Sequence, residues 1–270
     1  MPDIGLGVIG CGGRMGRFLV AEIHGRKGAR VAAGSEAPGS PFIGQDLGVL
    51  AGVGALNVKA AGDAGAVFKS ADVVLDFTVA AAAAAHAKLA AAAGKPLVIG
   101  TTGIDATGAE ALKEAARKAP IVWAANFSLG VTLLDSLVEQ AARVLGEDYD
   151  IEILEMHHRH KVDAPSGTAL ALGQAAARGR AIELEKRSQR VRDGHTGPRK
   201  TGDIGFATLR GGDVAGEHSV IFAGPAERIE LTHRAGSRQI FARGAVRAAL
   251  WVAGKPPGLY DMRDVLGLRR

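Results

Sequence analysis

Residues 155–169 read EMHHRHKVDAPSGTA, gathering three histidines, an arginine, a lysine and an aspartate ahead of a Pro-Ser-Gly-Thr turn. Such side chains move protons and hold anions. On an extended backbone alternate residues share a face, so His158 and His160 are expected to point one way and His157, Arg159 and Lys161 the other. A histidine near its ordinary pKa of about 6.5 exchanges protons at neutral pH, and permanent cations beside it attract negative charge. The chemistry on offer is general acid work on an anionic substrate.

The second half of the stretch, Asp163-Ala-Pro-Ser-Gly-Thr, reads as a helix start, with Ser166 as N-cap, Gly167 removing side-chain bulk and Thr168 opening an alanine-rich helix. Amides at such a terminus, with the helix dipole behind them, bind carboxylate or phosphate, so Lys161 and this turn could grip one anion together. Two plainer readings compete. The segment could be a solvated basic turn before a capped helix, or its HxH spacing could serve a metal. Zinc needs three or four protein ligands, and the sole cysteine, Cys11, is remote in sequence; no full ligand set can be drawn and no metal is expected.

The cluster must be held by its neighbours: residues 150–154 read as a strand and 168–177 as a helix, which places it in a connection. A second chemical signal lies at the start of the chain. The apolar run 4–9 leads straight into Gly10-Cys11-Gly12-Gly13-Arg14-Met15-Gly16, and then into an amphipathic stretch with Phe18, Leu19 and Ile23 on one face. This is strand, glycine turn, helix, the arrangement that lets backbone approach a pyrophosphate. It departs from the plain GxGxxG, because Met15 occupies the third glycine's place and Gly16 follows. A second strand at 30–33 ends near Glu36, about 20 residues past the loop, where an acid meets the ribose hydroxyls of a dinucleotide.

Further strands at 72–77, 97–100 and 121–124 alternate with helices at 80–93 and 105–118, which predicts a Rossmann-like, doubly wound parallel sheet. Ligands of such sheets bind beyond the carboxyl ends of the strands. Gly100-Thr101-Thr102-Gly103 and Ala125-Asn126-Phe127-Ser128 fall there and are expected to line a cofactor. After Asn126 the character changes to a helix at 131–145, the histidine cluster, and strand-like runs at 204–209, 217–222 and 228–232 joined by turns such as Gly211-Gly212-Asp213. These predict a second, α+β domain on a mixed open sheet. The final helix, 239–253, is expected to return to the first domain and make it discontinuous.

A formal charge of +5 raises nucleic acid as a partner, but much of the excess lies in one stretch, residues 186–200, and aromatics for base stacking are only 4% of the chain. A solvated basic loop, or local attraction of small anions, is the better reading, so no nucleic-acid partner is expected. One cysteine excludes an intrachain disulfide and fits a reducing compartment. The chain shows no charged-then-apolar leader, and the alanine run 80–93 carries His86 and Lys88 and is too short to span a bilayer; a cytoplasmic protein without a membrane partner is expected.

Taken together, GCGGRMG at 10–16, GTTG at 100–103, AANFS at 124–128, the histidine string, GDIGF at 202–206, RGGDVAGEHSV at 210–220 and ELTHRAGSRQIFARGAVRAALW at 230–251 make the chain resemble the 4-hydroxy-tetrahydrodipicolinate reductase (dihydrodipicolinate reductase) family over nearly its whole length. The resemblance implies a discontinuous dinucleotide-binding domain, 1–127 plus 238–270, around a substrate-binding and oligomerisation domain, 128–237, in a homotetramer with hinge motion between domains. It implies reduction of a small cyclic dicarboxylate, with NADH or NADPH, in the diaminopimelate route to lysine. His157 would be the catalytic proton donor or acceptor and Lys161 an assisting donor, with His158, Gly167 and Thr168 on substrate carboxylates. Gly10, Cys11, Gly12, Gly13, Arg14, Met15, Glu36, Gly100, Thr101, Thr102, Ala124, Ala125, Asn126 and Phe127 would hold the cofactor. Some members carry Arg directly after the ribose-binding acid; Ala37 stands here, so NADH is expected to be favoured or both cofactors used. The alternatives are another NAD(P)-dependent oxidoreductase of a small dicarboxylate, or a nucleotide-sensing protein without turnover.

Overall fold

The computed structural model describes residues 2–269. Its contacts divide the chain into two units, one running to Leu129 and resuming at Gln239, the other spanning Gly130–Arg238.

In the first unit the strands are β1 (Ile4–Ile9), β2 (Ala29–Ser35), β3 (Ala60–Ala61), β4 (Val73–Asp76), β5 (Leu97–Ile99) and β6 (Pro120–Trp123). The helices between them are α1 (Arg14–His24), α2 (Leu47–Ala51), α3 (Ala64–Ser70), α4 (Ala80–Ala93) and α5 (Ala106–Ala115). The central strands are short apolar runs, as a sheet covered on both faces requires; Val73, Val74 and Leu75 are wholly buried. Along β4 the side chains alternate between two cores, Leu75 packing with Leu19 and Ile23 of α1, and Val74 with Ala83, Ala87 and Ala90 of α4. The alanines of α4 give it almost no amphipathic contrast, yet their small size fits the helix closely against its neighbours.

The second unit contains α6 (Leu129–Leu145), β7 (Asp150–His157), α7 (Gly167–Arg180), α8 (Leu184–Arg187), β8 (Ser188–Gln189), β9 (Ile204–Arg210), β10 (Glu217–Gly224) and β11 (Glu227–Arg234). The chain then completes the first unit with α9 (Gln239–Val252), β12 (Gly258–Tyr260) and α10 (Met262–Leu266). The first sheet has the order β12-β6-β5-β4-β1-β2-β3, with every pair parallel. Strand order reverses about β1, so the carboxyl ends of β1 and β4 flank the switch point where ligands of such sheets bind. The second sheet, β11-β10-β7-β9-β8, is mixed: β10 runs antiparallel to both β11 and β7, while β7 and β8 run parallel to β9.

A doubly wound parallel sheet accompanied by an α+β unit on a mixed sheet is therefore the fold, as the alternation of the sequence predicts. The differences are local. α2, β3, α8, β8 and β12 are each five residues or fewer and too short to display a period. Nor is the basic stretch simply a solvated loop. Arg192 donates to both carboxylate oxygens of Glu152 at 2.8 Å, and Arg199 reaches Asp150 at 2.7 Å and Glu152 at 2.9 Å, so part of its charge is neutralised on β7. Among the described residues no helix is long and apolar enough to cross a membrane.

Candidate active site

In β7 the buried positions are Ile151, Ile153, Glu155 and His157, an alternation that carries a carboxylate and an imidazole onto the same inward face as two core isoleucines. Glu155, only 1% exposed, is held by five donors. One oxygen, Oε2, faces His157 Nδ1 at 2.6 Å and accepts from Arg210 Nη1 at 2.9 Å. The other, Oε1, accepts from Arg210 Nη2 at 3.0 Å, Ser166 N at 3.1 Å and Thr208 Oγ1 at 3.2 Å. Burial alone would raise this carboxyl's pKa, but the Arg210 guanidinium, the His157 ring and the Ser166 amide outweigh it and hold the group below its usual range. Glu155 is thus an ionised, acceptor-only group at neutral pH.

Beyond His157 the strand stops, and Arg159 and His160 form a turn. The expected sharing of one strand face by His157, Arg159 and Lys161 is therefore not realised: His158 N bonds to Val214 O, Arg159 N to Gly212 O, and Lys161 N folds back to His158 O. The Lys161 ammonium pairs with Asp163 Oδ1 at 2.8 Å. His158 and His160 do lie near one another, with ring centroids 6.3 Å apart.

Ser166 caps α7 as its residue type predicts, accepting from Ala169 N at 3.1 Å. Its own amide is taken by Glu155, and its hydroxyl also meets His218 Nε2 at 3.0 Å. At Gly167 a Cβ would meet nothing within 4 Å, so the first turn opens onto space that a carboxylate can enter. Glu155, Arg210, Thr208 and His218 are the members of this cluster that sequence reading did not assign. Extending the period-two pattern of β7 by one more inward step would have paired Glu155 with His157.

His218 is buried, and burial together with the neighbouring His157 pushes its pKa down to about 4. An unfolded imidazole takes up its proton near pH 6.5. Between those values the unfolded chain binds more protons than the folded one, so His218 contributes stability that is present above about pH 6.5 and lost as pH falls towards 4. The loss should reach at most about 3 kcal/mol. Urea unfolding at a series of pH values should show the midpoint falling through this window, and His218→Asn should flatten the fall; an unchanged slope would contradict the buried neutral ring.

The first unit gathers the other predicted residues along the carboxyl edge of its sheet. Gly10 N and Cys11 N both bond to Ser35 O at the end of β2, and Gly12 N donates to Glu36 Oε1 at 2.6 Å, joining the glycine loop to the acid. Gly10, at φ +74°, makes the tight turn. Gly16 supplies the close approach of helix to loop: a Cβ there would lie 2.1 Å from Gly10 O and 2.7 Å from Cys11 Cα. The loop is thus a GxGxxxG, with Gly16 one place later in the packing role of the third glycine. Phe42 lies against Gly12, and Arg17, which donates to Gly12 O at 2.8 Å, stacks on its ring; neither was apparent from sequence.

Gly100 N bonds to Asp76 O and Ala124 N to Ile99 O, so the turns after β4, β5 and β6 are tied side by side, and the Phe77 and Phe127 rings pack at 5.1 Å. Thr101 is buried with its hydroxyl lacking any protein partner, as is the Ser35 hydroxyl. A buried hydroxyl of this kind costs free energy unless a ligand or water meets it. The glycine cradle, the acid at the end of β2 and these orphaned hydroxyls fit a dinucleotide. Cys11 is buried within the loop, its amide bonded to Ser35 O, and its thiol is pushed up to about 11, by burial first and then by Glu36. Among the described residues no group of three or more His, Cys, Asp or Glu is arranged to hold a metal.

Comparison with known proteins gives consistent matches along the whole chain. A family profile described as "Dihydrodipicolinate reductase, N-terminus" matches residues 4–127, and one described as "Dihydrodipicolinate reductase, C-terminus" matches residues 130–266. The 4-hydroxy-tetrahydrodipicolinate reductase of Afipia carboxidovorans is 58% identical over 268 residues, 99% of this chain and 98% of its own length. That of Brucella abortus is 59% identical over 266 residues, 98% of this chain and 99% of its own. The dipicolinate-bound dihydrodipicolinate reductase from Paenisporosarcina sp. TG-14 superposes with a TM-score of 0.74 at 24% identity, covering 96% of this chain and 97% of that one, and so shares the fold.

Proposed function

We propose, proceeding from the fact that this chain belongs to the dihydrodipicolinate reductase family, that it reduces 4-hydroxy-tetrahydrodipicolinate to tetrahydrodipicolinate with NADH or NADPH, with loss of water, in the diaminopimelate route to lysine. The observation that carries the reading is the buried Glu155–His157 pair set against an open helix start at Gly167, in a chain whose other unit holds a glycine cradle closed by Glu36.

When bound, the nicotinamide cofactor would supply the hydride for reduction of a conjugated ring carbon. The protein's own task is to bind two carboxylates and deliver one proton to the carbon adjacent to the one reduced. His157 delivers the proton. Lys161 assists as a second donor, its ammonium kept in place by Asp163. His158 and the turn at Gly167 and Thr168 hold the carboxylates, where backbone N–H groups and the α7 dipole favour negative charge.

Gly10 to Met15, Gly100, Thr101, Thr102 and Ala124 to Phe127 would hold the cofactor, and Glu36 would accept from its ribose hydroxyls. Glu36 would repel a 2′-phosphate and Ala37 offers no guanidinium to offset it, so NADH is used at least as well as NADPH. The second unit's mixed sheet carries self-association as a homotetramer, and the protein works in the cytoplasm.

Competition tests the anion site. Planar aromatic dicarboxylates that resemble the ring should inhibit competitively, and the matching monocarboxylates roughly tenfold or more weakly, since each lost carboxylate removes charge-assisted hydrogen bonds. Equal inhibition by both classes would reduce the α7 terminus to a cap.

A further inference from the structure

We propose that Glu155 is the positioning residue of the proton transfer: it locks His157 with its stationary proton on Nδ1, so that Nε2 is the atom that gives and regains the transferred proton. The inference deepens the proposed reductase function and rests on His157 being the donor.

Three observations converge on it. Glu155 is acceptor-only, and its Oε2 lies 2.6 Å from His157 Nδ1, so in either charge state of the ring Nδ1 must be the donor. Nothing loosens this carboxylate. Arg210 grips both of its oxygens and donates as well to Leu209 O and Asp163 O, while Ser166 N and Thr208 Oγ1 complete Oε1. One side chain therefore fixes the ring on β7 and the start of α7, the two parts that proton delivery and carboxylate binding need in register.

At the other ring nitrogen the protein leaves room. A Cβ on Gly216 would stand 3.0 Å from His157 Nε2, and Gly216 adopts φ +152°, a conformation that favours glycine. His218 meets the ring edge-on at a centroid distance of 5.1 Å, with its own Nε2 engaged by Ser166 Oγ. The Nδ1 side is thus filled by Glu155 and Arg210, whereas no side chain grows from Gly216 over Nε2. In the step, the Nε2–H bond breaks as the substrate C–H bond forms, the ring is left neutral with its proton on Nδ1, and Nε2 takes a new proton from solvent; the nicotinamide is the only reductant.

The test reads the tautomer directly. In protein labelled with 15N-histidine, His157 is assigned by its absence from the His157→Gln spectrum and followed through a pH titration. The neutral ring should show a protonated Nδ1 and a bare Nε2. In Glu155→Gln the amide cannot accept at both ends, so its NH2 group faces His157 Nδ1 and turns it into an acceptor, moving the proton to Nε2. That variant should lose roughly a hundredfold or more in kcat with little change in NADH affinity. A wild-type neutral ring protonated on Nε2, or wild-type kcat in Glu155→Gln, would overturn the proposal. The wild-type spectrum decides the matter even if Glu155→Gln does not fold, and it needs no turnover, so a protein inactive on the proposed substrate would count against the reductase function without touching the tautomer.

Discussion

Replacing His157 by Gln should lower kcat by roughly two to four orders of magnitude, the range for loss of a positioned general acid, while cofactor affinity stays nearly unchanged. Glutamine keeps the polarity and much of the length of the side chain but has no proton to give. The separation of effects follows from where the groups lie. His157 ends β7 in the unit Gly130–Arg238, whereas the glycine loop, Glu36 and the turns after β5 and β6 all belong to the other unit. The loss should therefore appear in the chemical step and not in a fluorescence titration with NADH. A His157→Gln protein turning over at the wild-type rate would remove His157 from the reaction.

Gly16→Ala should damage the opposite half of the reaction. The added methyl would lie 2.1 Å from Gly10 O, 2.7 Å from Cys11 Cα and 2.9 Å from Cys11 C, all backbone atoms that no rotamer change can clear. The loop must shift, and Gly10 at φ +74° together with the 2.6 Å contact from Gly12 N to Glu36 leaves it little freedom to do so without losing the cradle. Overpacking of this kind costs typically 1–3 kcal/mol or more, so NADH affinity should fall by roughly tenfold to a hundredfold. Far-ultraviolet circular dichroism should accompany the titration. A folded Gly16→Ala protein that binds NADH within about a factor of two of wild type would show that the packing role belongs elsewhere.

The parallel sheet was legible because its strands are apolar runs separated by helices long enough to show a period, and because Ser166 caps a helix by the chemistry of its hydroxyl. Glu36 could be placed by distance from the glycine loop alone, since the second strand must return it to the same sheet edge. What escaped was set by tertiary pairing. Glu155 reads as one more acid in a polar string until β9 brings Arg210 and Thr208 beside it and β10 brings His218. The face expected to join His157, Arg159 and Lys161 depended on an extended backbone that ends at His157, where Gly211 N bonds to the His157 carbonyl and the chain turns. The role of Gly16 was hidden because packing distance, and not spacing, decides which glycine lets a helix approach its loop.

The most direct measurement supplies the unstable substrate in place, from pyruvate and aspartate semialdehyde through a separate condensing enzyme, and follows nicotinamide absorbance when this protein is added. The predicted result is protein-dependent oxidation of the reduced cofactor that needs both precursors, with kcat/KM for NADH at least equal to that for NADPH. Binding of NADH without oxidation in the presence of substrate would contradict the reductase function and leave a nucleotide-sensing protein; rapid oxidation with NADPH alone would contradict the part played by Glu36 and Ala37.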